Sequence, residues 1–149
     1  MNFADQVIAD FSSIQFKRSD KFRWSPEDNV IFYNHESSNS DWSLLHEIGH
    51  VLCRHQSYSS DLGLLKMETE AWEKARELAT KYSVSISEEH IEKCLGSYRD
   101  WLYRRSSCPK CHQAGLEKTL GLYMCINCGD QWKVTSEKFC RVYRKTVTA

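Results

Sequence analysis

His46-Glu47-Ile48-Gly49-His50 sets two imidazoles and a carboxylate within five residues. On a helix, residues four apart differ by about 40° in azimuth, so both imidazoles can reach one ion. Glu47 then lies about 100° round from His46, where it flanks the ion without ligating it. From there it can take a proton from a water at the metal. A second constellation is formed by Cys108-Pro109-Lys110-Cys111 and Cys125-Ile126-Asn127-Cys128, two CxxC pairs separated by 13 residues. Four thiolates suit a closed tetrahedral zinc, which has no open position for catalysis. Gly129 permits a tight backbone turn after the second pair.

A helix carrying the first constellation has two distinct faces. Leu44, Leu45, Ile48, Val51 and Leu52 cluster within about 60° of Ile48, whereas His46 and His50 fall nearly opposite. His55, on the same helix continued, would lie about 20° from Ile48 on the core face, and is set aside as a ligand. Cys53 and Gln56 stand where a metzincin pattern would require Gly and His. The next helix bears Glu68-Thr69-Glu70-Ala71-Trp72-Glu73-Lys74-Ala75. Its apolar face runs through Leu64, Met67, Ala71, Ala75, Leu78 and Tyr82. Glu68 lies about 60° from Ala71, inside that face, and Glu70 about 100° to the other side. An unpaired carboxylate on a packed face is costly and a ligating one is not, so Glu68 is the candidate third ligand. Glu70, Glu73 and Glu77 read as a solvated charged face. Cys53, about 60° from His50, reads as a small buried hydrophobe or as a thiol that ligates or shields the metal.

The elements that must position these groups follow from pattern and turn chemistry. A short helix is expected over 2–12, and strands over 22–24 and 30–33 flank the turn Ser25-Pro26-Glu27-Asp28-Asn29. Asp41 or Ser40 can cap a helix to about residue 55, and Asp61 one through about residue 82. Ser85 or Ser87 opens a third long helix through about residue 105. From Ser106 the chain turns to cysteines, short β-type runs and basic residues.

HEIGH followed by ETEAW resembles the gluzincin metallopeptidases, in particular their small intracellular forms, the minigluzincins and the ImmA/IrrE-type peptidases. The resemblance spans roughly residues 20–85. It implies an α+β, zincin-like domain over 1–105: a short antiparallel sheet, the HExxH helix and the following helices. It also implies one catalytic zinc held by His46, His50 and Glu68, with Glu47 as general base, and on that analogy 30–34 is the substrate-side strand. A Tyr or His that stabilises the oxyanion is implied too, and Tyr58, His90 and Tyr98 are the candidates. Many gluzincins carry Asp or Asn four residues after the ligand glutamate, to orient the first histidine. Trp72 stands there, so orientation must come from elsewhere. Residues 106–149 look like a zinc ribbon holding a structural zinc through Cys108, Cys111, Cys125 and Cys128. A peptidase with a ribbon is also similar to SprT-like proteases of DNA-bound proteins, but those use a third histidine.

Composition bounds the function. With 41% hydrophobic and 27% charged residues the chain is neither disordered nor membranous, and no apolar run approaches the roughly 20 residues of a bilayer span. The start lacks the pattern of a signal peptide, which makes a cytoplasmic setting the expectation. Seven cysteines, an odd count, argue against a disulfide framework. Net charge is zero but graded. Residues 1–98 carry 10 Lys+Arg against 16 Asp+Glu, a net −6, and residues 99–149 carry 10 against 4, a net +6. Lys110, Lys118, Lys133, Lys138, Arg141, Arg144 and Lys145 alternate with Tyr123, Trp132 and Tyr143, which fits a nucleic-acid surface or a docking scaffold. The expected function is a zinc metallopeptidase acting on a protein or peptide substrate, narrow in specificity or latent. The alternative is a zinc-stabilised nucleic-acid or protein adaptor whose HExxH site is vestigial. Glu47 weighs against that, since a decayed site could lose it at no cost to metal binding.

Overall fold

The computed structural model describes residues 2–135 and 142–147. Lys138, Cys140 and Arg141 lie outside them. Among the described residues the chain is α+β, with four helices and two small sheets. The order is α1 (Phe3–Asp10), β1 (Gln15–Arg18), β2 (Arg23–Ser25), β3 (Val30–Tyr33), α2 (Ser40–Leu52), α3 (Asp61–Lys81), α4 (Glu88–Ser106), β4 (Gly115–Thr119), β5 (Leu122–Cys125), β6 (Gln131–Val134) and β7 (Arg144–Thr146). No helix among the described residues is long and apolar enough to cross a membrane. The chain gathers into two compact units, Met1–Gln56 with Met67–Glu88, and Ser57–Lys66 with Glu89–Ala149.

In the first unit, the expected hairpin is present as β2 antiparallel to β3, with Trp24 opposite Ile31. The sheet is mixed rather than antiparallel, however, because β1 pairs with the other side of β3 in parallel. Gln15-Phe16-Lys17-Arg18 is mostly exposed and offers no apolar alternation, so nothing in its pattern marks it as a strand. Charged residues on an exposed edge strand discourage further pairing. Asn29 turns the hairpin at φ 53°, a left-handed conformation that Asn tolerates, and its side-chain amide donates to the Ser13 carbonyl at 2.7 Å. Val30, Ile31 and Tyr33 are buried, as are Leu44, Leu45 and Ile48 of α2.

Helix α2 ends earlier than its apolar pattern suggests. Cys53 is the C-cap, and Arg54 turns into the left-handed region at φ 57°. The Arg54 amide donates to the Val51 carbonyl and the His55 amide to the His50 carbonyl, both at 3.0 Å. This is a Schellman arrangement with arginine in the place glycine usually takes. It reverses the chain, so that His55 does not continue the helix. Helices α2 and α3 meet at Gly49, where a Cβ would collide with the Ala71 carbonyl oxygen and stand 3.2 Å from the Ala71 Cα.

In the second unit, β4, β5, β6 and β7 form an antiparallel sheet in sequence order. Tyr123 and Trp132 stack at 5.7 Å between ring centroids and, with Cys108 and Cys125, form a small core. Asp61 does not serve as the expected cap of α3. Ser60 does, its hydroxyl oxygen accepting from the Gly63 amide at 2.9 Å. Asp61 is instead fully buried against Arg105, whose Nε and Nη2 donate at 2.6 and 3.2 Å, and Tyr123 adds its hydroxyl at 2.6 Å. A paired, multiply hydrogen-bonded carboxylate is tolerable where a lone one is not.

The Gly49 contact admits no side chain, so Gly49→Ala is expected to lose about 1–3 kcal/mol through overpacking. Gly96 in α4, where a Cβ meets nothing within 4 Å, is the control. Gly96→Ala should gain up to about 1 kcal/mol from helix propensity. Thermal denaturation of the two variants checks the pair, and similar shifts would remove the close approach as a constraint.

Candidate metal centres

Helix α2 presents His46 and His50 one turn apart, on either side of Gly49, and α3 brings Glu68 to them. All three are buried, at 7–8% exposure. His46 Nε2 lies 3.0 Å from Glu68 Oε2, His50 Nε2 lies 3.2 Å from Glu68 Oε1, and the two Nε2 atoms are 3.2 Å apart. Ligands bound tetrahedrally at zinc's usual ~2.0–2.1 Å stand about 3.3 Å from one another. The donor set therefore has the chemistry and the spacing of a three-ligand site. Burial by itself would raise the Glu68 carboxyl; the hydrogen bonds and charges of both histidines outweigh it and hold the group well below the usual carboxylate range. Burial likewise works to lower His50, and the Glu68 hydrogen bond and charge overcome it and raise the imidazole.

Glu47 is half-buried on the adjoining side of α2. Burial pushes its carboxyl up and Glu68 adds to this, against the pull of His46, His50 and a hydrogen bond from the Trp24 backbone amide. Trp24 sits on β2, an edge strand. The strand expected on the substrate side, 30–34, contains β3, which is central and paired on both sides. Its backbone is committed to the sheet, and β2 offers the edge beside Glu47.

The surroundings of the two histidines differ. The His46 ring packs on Trp72 at 4.2 Å between centroids, and its Nδ1 is buried without a hydrogen-bond partner. His50 Nδ1 meets His55 Nδ1 at 2.9 Å, and His55 Nε2 meets Glu70 Oε2 at 2.9 Å. Trp24 Nε1 donates to the His55 carbonyl at 3.2 Å. Glu70 is thus engaged with a buried histidine and is not simply part of a solvated face. Cys53, His55 and Glu70 also bring donor atoms within 4.8 Å of one another. Burial and the nearby Glu70 push the Cys53 thiol up, so it is held as a thiol. His55 escaped the helical-wheel argument because the wheel does not extend past a C-cap. The signal that could have found it is a histidine shortly after the last apolar helix position, together with a second carboxylate on the next helix. Tyr58, His90 and Tyr98 belong to the second compact unit.

In that unit Cys108, Cys111, Cys125 and Cys128 lie close enough to hold a metal ion. The Cys108 and Cys128 sulfurs are 3.7 Å apart, and those of Cys111 and Cys125 3.4 Å. A disulfide would need about 2.05 Å; a zinc tetrahedron with ~2.3 Å bonds sets about 3.8 Å. The two CxxC turns are built alike. Cys108 Sγ accepts from the Lys110 and Cys111 amides, and Cys125 Sγ from the Asn127 and Cys128 amides, at 3.3–3.5 Å. Cys108 and Cys125 donate their own amides to the Gln113 and Asp130 carbonyls, both at 2.8 Å. His112 and Gly129 follow the second cysteine of each turn at φ 66° and 76°. Gly129 has the conformation its type suggests, and His112 takes the same one without glycine's freedom. The Gln113 backbone and the Asn127 side chain hold the Cys111 thiol down, to about 6.

No family model, curated protein or solved structure matches this chain.

Zinc titrated into the reduced, metal-free protein is expected to saturate at about two equivalents. Glu68→Ala should remove one and Cys125→Ser the other, and a chelator should empty the three-ligand site first. Chelator competition with elemental analysis of each variant provides the check. Binding that Glu68→Ala leaves intact would strike Glu68 from the ligand set.

Proposed function

We propose that the chain is a zinc metallopeptidase of gluzincin type, with a zincin-like catalytic part and a C-terminal zinc ribbon. The observation that carries this reading is the convergence of His46, His50 and Glu68 at ligand spacing with Glu47 beside them. A zinc ion held by His46, His50 and Glu68 would supply a Lewis acid for the attack of water on a peptide carbonyl. Glu47 accepts the proton of the attacking water and returns it to the leaving amine. Burial, which pushes its carboxyl up, brings it nearer the range where a group can both take and give a proton. The outer edge of β2, where the Trp24 amide reaches Glu47, would hold an extended peptide through its remaining backbone groups by strand addition. The substrate is therefore an accessible, extended segment of a protein, and by the resemblance to ImmA/IrrE-type peptidases a transcription regulator.

The ribbon recruits. A cavity of about 380 Å³ is lined by Tyr103, Arg104, Ser107, His112, Val142 and Arg144, so each of its ionisable groups other than the tyrosine is basic or neutral. Tyr103 is 71% exposed, which leaves its ring available for base stacking. This favours a single-stranded nucleic acid as the anchor. An adaptor without peptidase activity would use the same surface but leave Glu47 without a role.

Glu47→Gln should keep the zinc content and melting temperature and lower peptide cleavage by at least roughly 10²-fold. Cleavage of an unstructured protein or peptide library, read by mass spectrometry, tests this, and unchanged turnover would end the assignment. Nucleic-acid retention should fall steeply with salt, because neutralised phosphates release counterions. It should be lost in Arg104→Glu/Arg144→Glu while both metals stay bound. Retention independent of salt, or unaltered in that variant, would place the anchor elsewhere.

A further inference from the structure

We propose that His55 and Glu70 are positioning residues for His50: they fix its ring proton on Nδ1 and so keep the Nε2 lone pair for a metal ion. The proposal rests on reading His46, His50 and Glu68 as ligands.

Glu70, His55, His50 and Glu68 form one line of donor and acceptor contacts. An ionised carboxylate only accepts. Its 2.9 Å contact with Glu70 therefore places a proton on His55 Nε2. With that single proton on the ring, His55 Nδ1 is bare and can only accept. Its 2.9 Å contact with His50 Nδ1 in turn places the proton of that bond on His50. His50 Nε2 is left bare, facing Glu68 Oε1 and His46 Nε2, each at 3.2 Å. A lone pair aimed at a carboxylate needs a cation between them: the shared proton of the His50–Glu68 hydrogen bond in the metal-free protein, or a metal ion in its place. An order of protons that satisfies Glu70, His55 and His50 is thus also one that makes His50 a ligand.

The backbone is built to deliver this contact. His55 reaches His50 only because the chain reverses at Arg54, a non-glycine residue at φ 57°. Its amide is tied to the His50 carbonyl and its own carbonyl accepts from Trp24. His55 is 8% exposed, so water does not readily replace it. His46 has no such partner: its Nδ1 is unpaired and its ring is held by the face of Trp72. One histidine is thus oriented by packing and the other by hydrogen bonds.

The test measures zinc affinity by chelator competition for the equivalent that His46→Ala removes. It compares the parent with His55→Leu, which deletes the acceptor, and with His55→Asn, whose Oδ1 falls near the place of Nδ1. His55→Leu should weaken that equivalent by roughly 10–100-fold, the usual cost of losing a partner behind a ligand, and His55→Asn should recover most of it. In the zinc-loaded parent, 15N NMR should show His50 protonated at Nδ1. Melting of all three proteins without metal separates a folding defect from an affinity defect. Equal affinity in the parent and His55→Leu, an asparagine variant as weak as the leucine, or a bare Nδ1 on His50 overturns the positioning role and leaves the ligand set standing. If His46→Ala removes no zinc, the ligand reading itself falls, and the proposal with it. If Cys53→Ser and His55→Leu instead remove a third equivalent, Cys53, His55 and Glu70 form a metal site of their own and the positioning role is withdrawn.

Discussion

Helices α2 and α3 touch backbone to backbone at Gly49 and Ala71, and the geometry of the candidate centre formed by His46, His50 and Glu68 follows from that contact. His46 and His50 flank Gly49 along α2, and Glu68 lies one turn before Ala71 on α3. Once the axes approach this closely, side chains a turn away must meet. A buried carboxylate is affordable only when it is paired, and Glu68 has two imidazoles at 3.0 and 3.2 Å. The same packing that closes the core brings three donors to the spacing of one ion. Glycine at the second unspecified position of the HExxH pattern is thus a packing requirement.

The second unit solves a different problem. Its cysteine-rich part has a small core, with Tyr123 stacked on Trp132 and two of the four cysteines buried among them. A piece this small gains little from apolar burial alone. It relies on bonds with fixed geometry: two CxxC turns built on the same pattern of amides to sulfur, and the buried Asp61–Arg105 pair with the Tyr123 hydroxyl on its carboxylate. Trp132 joins these through its indole N–H on the Arg105 carbonyl at 2.8 Å. A metal on the four sulfurs would complete that set, since a thiolate site that the unfolded chain lacks couples binding to folding.

What could be read from the sequence was what a single element encodes. His46, Glu47 and His50 follow from helical spacing, and Glu68 from its phase against Ala71, because both arguments stay within one regular helix. The cysteine turns could be read for the same reason, each being local. Groups placed by chain reversal or by long-range pairing could not. His55 sits beyond a cap whose left-handed residue is Arg54, so no glycine announces the turn. β1 is polar and pairs in parallel, which made β3 central where an edge was expected. Asp61 looks like an N-cap by type and position, and only the fold supplies the arginine and tyrosine that bury it.

Glu68 and Glu70 lie about 200° apart on an ideal helix, so they cannot address one ion together. They address one histidine instead, from its two sides. Glu68 faces the Nε2 of His50, and Glu70 reaches its Nδ1 through His55. An imidazole is the side chain that permits this, since its two nitrogens point apart and the state of one sets the role of the other. Trp72 fits the same logic. It occupies the position where the resemblance leads one to expect an acidic or amide partner for the first histidine, and it can hold that ring only by contact. The hydrogen-bonded Nδ1 is that of the second histidine, and its partner comes from the turn that follows α2. The carboxylate behind that turn comes from α3, two residues after Glu68, and the intervening His55 spans the gap that the helical phase creates.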